Sequence, residues 1–414
     1  MSNVPLTSGQ DEAFERFVGF ISDPDEQVFV ISGYAGTGKS TLIKHIIDNL
    51  PNLLKMTAFV QSKFEWDLLL TATTNKAAQA LHGITGREVK TIQSTLGLKV
   101  ETNWATNTST LIPTGAIDTP ERAVIFIDEA SFIDRDLLSM IIELTPNCKL
   151  VFIGDPAQIA PINSAGTPVF SAGFPEARLT EVVRQAEGNP IIDLATKFRG
   201  TVNTGEWFSF SPDGDAVIHM PRDEFDAAIK AEFTVPGWSY QDSKVLAWTN
   251  KAVINYNHGI RELIQGAPEL EAGDYAVCNK YTRTAKGYAI KTDQIVQVTA
   301  IHAGTEFGVE GWHVQLDYTM SSFLPKRLDD AKAASKEAKA NGDFGRVKII
   351  ESAWVDLRAA YACTINKSQG STFKKVFIDL SDVKKCRVAN TVARMLYVAV
   401  TRASHQVIMT GDLV

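Results

Sequence analysis

Cysteine is scarce in this chain of 414 residues, with only Cys148, Cys278, Cys363 and Cys386. They are far apart and form no CxxC pair. A zinc site or a framework of disulfides needs closely spaced cysteines, so the sequence argues against both. Isolated thiols suit a reducing compartment.

Long apolar runs and a leader sequence are lacking as well. No stretch approaches the roughly 20 consecutive apolar residues that a membrane-spanning helix requires. The first residues, MSNVPLTSGQDEAF, show no basic start followed by an apolar core, so no secretory signal is predicted. We therefore expect a cytoplasmic protein without a membrane partner.

Positive charge is in deficit, because 48 acidic residues exceed 41 Lys and Arg residues and the formal net charge is −7. A protein that coats duplex DNA is normally basic. Any nucleic acid is therefore expected to lie in a local groove and not to be held by overall charge. The chain is long enough for two or three domains, each with its own core.

Continuous apolar strands alternate with amphipathic helices along most of the chain. The first run is a helix over 9–21, the strand VFVIS, a helix from Lys39 to about Asn49, and then LLLTAT, NKAAQALHGI, AVIFIDE, RDLLSMIIEL and KLVFIGD. The second run is KVLAWTN, KAVINYNHGIRELI, KVFIDL, ANTVARMLYVAVTRAS and QVIMTGD. This alternation is typical of parallel sheets covered on both faces by helices, so the predicted fold class is α/β.

Two segments interrupt the alternation. Residues 97–120 read as a small β-hairpin, and residues 273–349 contain short strands separated by turns, which is typical of a small barrel. The Lys- and Ala-rich part of the second segment is interpreted as a solvated helix or hairpin arm, although an interaction site is the alternative. The predicted domains are 1–187, then 188–272 together with 350–414, and the inserted module 273–349.

The segment GYAGTGKS, residues 33–40, matches GxxxxGK[ST] and stands between a predicted strand and helix. Glycines allow backbone N–H groups to surround phosphate oxygens at a helix N-terminus. Lys39 is expected to reach the β- and γ-phosphates and Ser40 to hold Mg²⁺. The nucleotide-binding residues predicted here are Gly33, Ala35, Gly36, Thr37, Gly38, Lys39, Ser40 and Thr41.

Two further strand ends supply the hydrolytic groups. Asp128 follows AVIFI and is expected near the metal ion, while Glu129 is the candidate general base. Gln158, in GDPAQIAP, is placed to sense the γ-phosphate. A GTPase of the small type would need an NKxD signature, but Asn75-Lys76 and Asn250-Lys251 lack the Asp.

Two arginines complete a set of motifs. Arg184 in LTEVVRQ and Arg402 in LYVAVTRAS, on a predicted late helix, are each candidates to stabilise a transferred phosphate. Together with LTSGQDEAF, GYAGTGKS, TATTNKAAQAL, KTIQSTL, FIDEAS, GDPAQIAPI, LAWTNKAV and TINKSQGSTF, these motifs follow the order found in superfamily 1 helicases. The short chain with its hairpin and barrel insertions resembles the B branch of that superfamily.

The resemblance implies two RecA-like P-loop domains that bind ATP and Mg²⁺ in the cleft between them, with a small SH3-type β-barrel inserted in the second. It assigns adenine reading to Gln10 and places Gln369 and Gly370 near the γ-phosphate. Arg184 and Arg402 would approach the nucleotide from the side opposite Lys39. It also implies monomeric action and movement 5′ to 3′ on single-stranded DNA.

Single-strand binders need backbone contacts that ignore sequence, together with aromatic faces for the bases. The predicted DNA-binding residues are Thr73, Thr74, Asn75, Thr91, Gln93, Trp104, Trp248, Thr249, Asn250, Thr364, Asn366 and Lys367. Thr and Asn at such turns are also ordinary helix caps. Trp104 is either a strand-separating wedge or a packing residue of its hairpin, and Trp248 either stacks on a base or is a buried strand residue.

Three functions fit these features. The main hypothesis is an ATP-dependent DNA helicase acting on single-stranded and on forked or tailed duplex DNA, with a single-strand-binding protein or replisome component as an open partner. A translocase that displaces bound proteins and a non-catalytic, nucleotide-switched clamp are the alternatives. TINKSQGSTF, residues 364–373, is expected to couple nucleotide to DNA, although relatives often have His where Asn366 stands.

Overall fold

The computed structural model describes residues 5–61, 66–103, 108–114, 120–161, 166–181, 188–266, 269–283, 287–317 and 320–413. Contacts within the chain divide it into two compact units, Met1–Phe208 and Ser209–Val414. Within the described residues, no helix is both long and apolar enough to cross a membrane.

The first unit is an α/β layer structure. Its strands are β1 (Val28–Gly33), β2 (Asp67–Ala72), β3 (Val89–Thr91), β4 (Leu98–Asn103), β5 (Thr108–Pro113), β6 (Ala123–Asp128), β7 (Lys149–Gly154) and β8 (Glu176–Leu179). Its helices are α1 (Ser8–Ser22), α2 (Lys39–Gln61), α3 (Asn75–Thr85), α4 (Ile92–Thr95), α5 (Arg135–Leu144), α6 (Pro168–Ser171) and α7 (Pro190–Thr204), with a 3₁₀ turn over Ala130–Phe132.

Six of these strands form a parallel sheet in the order β3-β2-β6-β7-β1-β8. Successive residues of β1 alternate between two apolar clusters: Phe29 and Ile31 pack on one face, and Val28 and Val30 on the other. Because both faces are buried, the strands are apolar throughout. The parallel α/β layer predicted from the sequence is confirmed.

Helix α1 is fixed at both ends. At its start Thr7 and Gln10 form a capping box. Near its end the buried ammonium of Lys149, at the first position of β7, donates hydrogen bonds to the carbonyls of Phe20 (3.1 Å), Asp23 and Glu26. Burial lowers the pKa of Lys149, and the neighbouring carboxylates oppose that effect.

Helix α2 is longer than the sequence suggests, because it continues past Asn49 to Gln61 with Pro51 inside it. A proline in a helix removes one backbone hydrogen bond. Here Leu50 is buried and Leu53 and Leu54 pack against the core, so tertiary packing sustains the helix beyond the proline.

The predicted hairpin is present as β4 and β5, which pair antiparallel from Leu98–Pro113 to Asn103–Thr108. Leu98 and Leu111 at its base join the core cluster of one sheet face. Trp104 lies outside the described residues, so its two interpretations remain predictions.

The second unit contains a further set of elements. Its strands are β9 (Val217–His219), β10 (Ser243–Ala247), β11 (Tyr275–Cys278), β12 (Thr282–Arg283), β13 (Ala289–Ile290), β14 (Ile295–Glu306), β15 (Val309–Leu316), β16 (Met320–Pro325), β17 (Leu357–Ala359), β18 (Ala362–Thr364), β19 (Phe373–Asp379) and β20 (Ala403–Thr410). Its helices are α8 (Arg222–Phe233), α9 (Asn250–Gln265), α10 (Leu328–Ala340), α11 (Phe344–Lys348), α12 (Ile365–Ser368), α13 (Leu380–Val383) and α14 (Ala389–Val400), with a π-helical turn over Ile349–Ala353.

The central sheet of this unit is parallel in the order β18-β10-β19-β20-β9. Matched strand by strand, it repeats β3-β2-β6-β7-β1 of the first unit in the same chain order. The two units therefore share one topology, as the sequence predicts.

The inserted module is an antiparallel sheet in the order β16-β15-β14-β11-β17. Its last strand, β17, lies beyond residue 349, where the sequence suggests that the module ends. A hydrogen bond from Val355 N–H to Phe323 O (2.9 Å) links the end of β16 to the segment before β17. The Lys- and Ala-rich arm is helix α10, whose Ala334 packs with Phe323 and Trp354. The arm is thus a helix with a buried face, and the SH3 type of the module stays a prediction.

The boundary between the units falls after Phe208, whereas the sequence suggests residue 187. Helix α7 therefore belongs to the first unit and not to the second. The ring of Tyr34 lies 3.9 Å below the guanidinium of Arg199, on this helix. A contact of this kind, between residues far apart in sequence, cannot be read from local composition.

Replacing Lys149 with Met is expected to destabilise the fold by about 2 kcal/mol or more, because three helix-end carbonyls lose a charged donor. Urea unfolding followed by circular dichroism measures this. Lys44→Met, at an exposed pair with Asp48 on α2, is the control and should cost less than about 0.5 kcal/mol. Equal stabilities of the two variants would contradict the role given to Lys149.

Candidate functional site

The loop between β1 and α2 has the backbone of a phosphate-binding loop. Gly36 and Gly38 have positive φ angles of 85° and 76°, which favour glycine. A Cβ on Gly33 would lie 2.7 Å from Thr37 Oγ1 and 2.9 Å from the Cβ of Leu179. Glycine is therefore required at these three positions for the turn and for close packing.

Lys39 opens α2 and folds back over the loop. Its Nζ donates to the carbonyls of Gly33 (2.6 Å) and Tyr34 (3.0 Å). Ser40 and Thr41 are exposed in the first turn of the helix. A cation and a helix N-terminus at one loop form a local environment that attracts phosphate.

Gln10 is buried, with 2% of its surface exposed, and joins α1 to this loop. Its Nε2 donates to the carbonyls of Thr37 and Gly38, both at 3.2 Å. Its Oε1 accepts from the N–H of Thr7 at 3.0 Å. The residue expected to read adenine therefore also holds the phosphate-binding loop in place.

Asp128 and Glu129 stand at the carboxyl end of β6. Glu129 has a left-handed backbone, with φ of 54°, and donates its N–H to Asp128 Oδ1 at 2.8 Å. Burial raises the pKa of Asp128, while the Glu129 N–H and the charge of Lys39 act to lower it. A left-handed non-glycine residue costs energy and is found at functional sites.

Oxygen ligands of this type suit Mg²⁺, which is commonly held by one or two protein groups together with substrate phosphates. Ser40 and Asp128 are the candidates. Among the described residues, no group of three or more His, Cys, Asp or Glu side chains could hold a metal ion by itself.

Gln158 follows β7 and is buried, with 5% exposed. Its Oε1 accepts a long hydrogen bond of 3.5 Å from Ser131 Oγ. Ser131 lies two residues after Glu129, in the 3₁₀ turn that follows β6. The predicted γ-phosphate sensor is thus linked to the segment that carries the acidic pair.

Thr73, predicted as a DNA contact, is bound to the acidic pair instead of pointing freely outward. Its hydroxyl donates to Glu129 O at 3.0 Å, and its N–H donates to Asp128 O at 3.2 Å. Only 8% of the residue is exposed. The loop after β2 is therefore connected directly to the loop after β6.

Arg199 was not predicted from the sequence. Its guanidinium stacks on the ring of Tyr34, and within the described part of the chain it makes no ion pair. Tyr34 belongs to the phosphate-binding loop, and its carbonyl accepts from Lys39. The arginine lies in a region, GNPIIDLATKFRG, that carries no motif recognisable by residue type alone.

Of the two predicted arginines, Arg184 lies outside the described residues. Arg402 is not on a helix as predicted, because α14 ends at Val400 and Arg402 occupies the turn before β20. It is 7% exposed and donates to the carbonyls of Val398 (3.1 Å) and Ser371 (3.1 Å). Ser371 is in the TINKSQGSTF segment, so Arg402 fixes the end of that loop.

The TINKSQGSTF segment includes a short helix, α12, capped by Thr364, whose hydroxyl accepts from the N–H of Lys367 at 3.3 Å. Gln369 follows and is buried, whereas Gly370 is exposed with φ of 73°. The exposed Lys367 pairs with Asp293 at 2.7 Å.

The predicted DNA loops form two matching pairs, one in each unit. The strands β2 and β10 run into A-T-T-N-K-A (72–77) and A-W-T-N-K-A (247–252), and their neighbours β3 and β18 run into T-I-Q (91–93) and T-I-N (364–366). The register is the same in both, with Ala72 opposite Thr91 and Ala247 opposite Thr364. In all four loops a threonine caps the following helix: Thr74, Thr91, Thr249 and Thr364.

The third residues of T-I-Q and T-I-N share a further property. The side-chain oxygens of Gln93 and Asn366 are buried, and each is without a hydrogen-bond partner in the described part of the chain. Asn75 and Asn250 open their helices, and Trp248 is half-buried. The predicted DNA residues therefore gather at the carboxyl edges of the two sheets, apart from Trp104.

The model of the AAA domain matches residues 5–213, which is just over half of the chain. The model of the UvrD-like helicase C-terminal domain matches residues 359–410.

The chain is 28% identical to the ATP-dependent DNA helicase dda of Enterobacteria phage T4, over 97% of this chain and 98% of that protein. It is 25% identical to the ATP-dependent RecD2 DNA helicase of Deinococcus radiodurans, over 93% of this chain and 47% of that protein. These matches confirm the resemblance to the B branch of superfamily 1 that the motif order predicts.

Among solved structures, Pif1 helicase from Bacteroides in complex with ADP-AlF3 and ssDNA has a TM-score of 0.52 and 16% identity, covering 99% of this chain and 93% of that one. Pif1 helicase from Candida albicans has a TM-score of 0.51 and 16% identity, covering 99% and 95%. At this level of identity the likeness concerns the fold.

Replacing Arg199 with Ala is expected to raise the KM for ATP about three- to tenfold, because a cation beside the phosphate loop is lost together with its stack on Tyr34. Steady-state ATP hydrolysis measures the change. Lys197→Ala, on the same helix α7 and over the Phe208 ring, is the control. A wild-type KM in the Arg199 variant would contradict the assignment.

Proposed function

The chain belongs to the AAA domain family, and from its similarity to a protein named as an ATP-dependent DNA helicase we propose that it is a helicase that moves 5′ to 3′ on single-stranded DNA and unwinds duplex. The phage T4 relative, which is matched over 98% of its length, carries the name ATP-dependent DNA helicase. The direction is inferred from the resemblance to the B branch of superfamily 1. Forked or tailed duplexes are the proposed substrates, and the chain is proposed to act as a monomer.

ATP hydrolysis is proposed for the phosphate loop of the first unit. Lys39 binds the β- and γ-phosphates, and Ser40 and Asp128 hold Mg²⁺. When bound, Mg²⁺ neutralises the negative charge that develops on the phosphates. Glu129 takes a proton from the attacking water, and its strained backbone fixes the carboxylate at the end of β6.

The remaining polar groups sense the state of the nucleotide. Gln158 is proposed to contact the γ-phosphate, with Gln369 and Gly370 supplied by the second unit. Arg402, with Arg184, is proposed to stabilise the transferred phosphate, which is worth about 10³-fold or more in rate where such residues are known.

The observation that carries DNA binding is the matched pair of loops in each unit. Two adjacent strands end in the same short sequences in the same register, and each loop leads into a threonine-capped helix start. Helix N-termini bind phosphate without reading sequence. We call each pair of loops a DNA grip: residues 72–77 with 91–93 in the first unit, and residues 247–252 with 364–366 in the second. A protein that steps along a single strand needs two such binding sites, one on each unit.

The neutral hydrogen-bonding groups of these loops are compatible with DNA binding by an acidic chain. The loops offer hydroxyl, amide and backbone N–H groups, so phosphates can be held although the formal net charge is −7. Asn366 and Gln93 each add a buried oxygen without a partner in the described residues. A buried acceptor that is left unbonded costs free energy, so Gln93 and Asn366 stay candidates for contact with DNA.

Coupling between nucleotide and DNA is proposed to use two short connections. In the first unit Thr73 bonds to the backbone of Glu129, so a shift of the acidic pair is transmitted to the loop after β2. In the second unit Arg402 bonds to Ser371 at the end of the TINKSQGSTF segment. Each connection joins a residue proposed for hydrolysis to a loop proposed for DNA.

A translocase that strips proteins from DNA is the second candidate function, and it would use the same grips. Comparing streptavidin displacement with strand separation distinguishes the two. Displacement without strand separation would favour the translocase.

Unwinding of tailed duplexes tests the proposal. A duplex with a 5′ single-stranded tail is expected to be separated in the presence of ATP and Mg²⁺, and one with only a 3′ tail is not. Lys39→Ala should abolish both hydrolysis and unwinding, since the phosphates lose their main cation. Separation of only the 3′-tailed substrate would refute the direction, and no separation of either would refute the helicase activity.

A further inference from the structure

Asp382 is a buried carboxylate that the proposed chemistry does not use. It lies on α13, three residues after the end of β19, and only 2% of it is exposed. A buried charge is costly unless several hydrogen bonds compensate it. The hydrogen-bond partners of Asp382 therefore indicate its role.

The side-chain hydrogen bonds that the structure describes for Asp382 go to the loop after β10 and to Lys385. Oδ2 accepts from the N–H groups of Trp248 (2.8 Å) and Thr249 (2.7 Å). Oδ1 accepts from Thr249 Oγ1 (2.7 Å) and from Lys385 Nζ (2.7 Å). Burial acts to raise the pKa of Asp382, but the hydrogen bonds from Lys385 and Thr249 outweigh it and hold the pKa below its ordinary value.

Comparison of the two units shows that this arrangement belongs to the second one. In the first unit β6 ends at Asp128, which pairs with Ala72, the last residue of β2. In the second unit β19 ends at Asp379, the residue after Ile378, and Ile378 pairs with Leu246, the next-to-last residue of β10. Asp379 therefore occupies the place of Asp128. It is engaged by Arg222 at 3.1 Å and by the Tyr256 hydroxyl at 2.7 Å.

Asp382 accordingly stands where the first unit has Ser131, three residues after the strand. Ser131 serves the nucleotide side, where it bonds Gln158. Asp382 serves the loop that begins A-W-T-N-K-A. At this equivalent position, Ser131 of the first unit bonds a residue proposed to sense the nucleotide, whereas Asp382 of the second unit bonds the loop proposed to bind DNA.

These hydrogen bonds determine which backbone N–H groups in the first turn of α9 are left without a partner. Thr249 Oγ1 donates to Asp382 and accepts from the N–H of Ala252 at 3.2 Å. Within the described residues, the N–H groups of Asn250 and Lys251 have no partner. They belong to the first turn of α9, which has 16 residues and whose dipole favours an anion.

The negative charge of Asp382 would repel a phosphate at this helix start if it stood alone. Lys385 lies 2.7 Å from Oδ1 and neutralises it. Lys251, Lys385 and Arg222 line a cavity of about 310 Å³, and the two carboxylates that also line it, Asp379 and Asp382, are paired with Arg222 and Lys385. The surroundings of the loop are therefore compatible with a backbone phosphate.

We propose that Asp382 is a positioning residue for the DNA grip of the second unit: it fixes Trp248 and Thr249 so that the first turn of α9 presents its N–H groups to a phosphate of single-stranded DNA. The inference rests on the proposed function. Asp382 does not itself contact DNA, and its effect passes through the loop after β10.

The test uses the whole chain and the concentration of a dT oligonucleotide that half-saturates ATP hydrolysis. Asp382→Asn is expected to raise that concentration about tenfold or more, because hydrogen bonds to a charged acceptor are weakened. The maximal rate at saturating oligonucleotide should change less than twofold. Asp242→Asn is the matched control, since Asp242 also accepts from a backbone N–H and a lysine but lies before β10.

A double-mutant cycle between Thr249 and Asp382 distinguishes a positioning role of Asp382 from a general loss of stability. Thr249→Val and Asp382→Asn should not add, because both break the same contact, whereas Thr249→Ser should restore most of the affinity. Additive effects, or a maximal rate that falls together with the melting temperature in Asp382→Asn, would overturn the proposal.

Oligonucleotide binding by the unmodified chain distinguishes a failure of the positioning role from a failure of the proposed function. If the unmodified chain binds the oligonucleotide and Asp382→Asn binds it equally well, the positioning role alone is refuted. If the unmodified chain shows no binding by fluorescence anisotropy, the proposed function fails and the positioning role falls with it.

Discussion

The parallel arrangement of strands is the constraint on which the rest of this structure depends. A parallel sheet is buried on both faces, so polar groups can be carried only where the strands end. All strands of one sheet end at the same edge, and the loops there are brought together whatever their distance along the chain. In the first unit this places Lys39, Asp128 and Gln158 on neighbouring loops, and in the second it places Thr249 and Thr364 side by side.

The two units apply this constraint differently. The first keeps a glycine loop after β1, and Asp128 at the end of β6 is proposed to hold Mg²⁺ beside that loop. The second has Pro221 and Arg222 at the corresponding turn, and Arg222 and the Tyr256 hydroxyl engage Asp379. Burial, followed by the contact with Asp379, raises the pKa of Tyr256, so the phenol stays protonated and donates. In the second unit an ion pair between Arg222 and Asp379 therefore stands at the place of the nucleotide site proposed for the first unit.

Much of the fold could be predicted from the sequence, because periodicity and strand-end motifs are local signals. The parallel α/β layers, the hairpin at 98–113 and the phosphate loop all follow from residues close together in the chain. The path of α2 through Pro51 could not be predicted, since packing of Leu50 and its neighbours overrides a local helix breaker. The sequence predicts Arg402 on a helix, but α14 ends at Val400 and the chain turns there to enter β20.

The site was least predictable where contacts join distant parts of the chain. Arg199 lies 165 positions after Tyr34 and Asp382 lies 133 positions after Thr249. Neither residue belongs to a motif with a chemical signature. Their partners are determined by strand order, which single-sequence patterns describe only in outline. The helix caps formed by Thr at the strand ends are easier to predict, because Thr is a common N-cap residue.

The central claim is that one chain hydrolyses ATP at the first unit and grips single-stranded DNA through equivalent loops on both. The most direct measurement is the rate of ATP hydrolysis with and without a single-stranded oligonucleotide, at saturating ATP and Mg²⁺. The account predicts that hydrolysis is slow alone and is stimulated at least tenfold by the oligonucleotide. A rate that is the same in its presence and absence would contradict it.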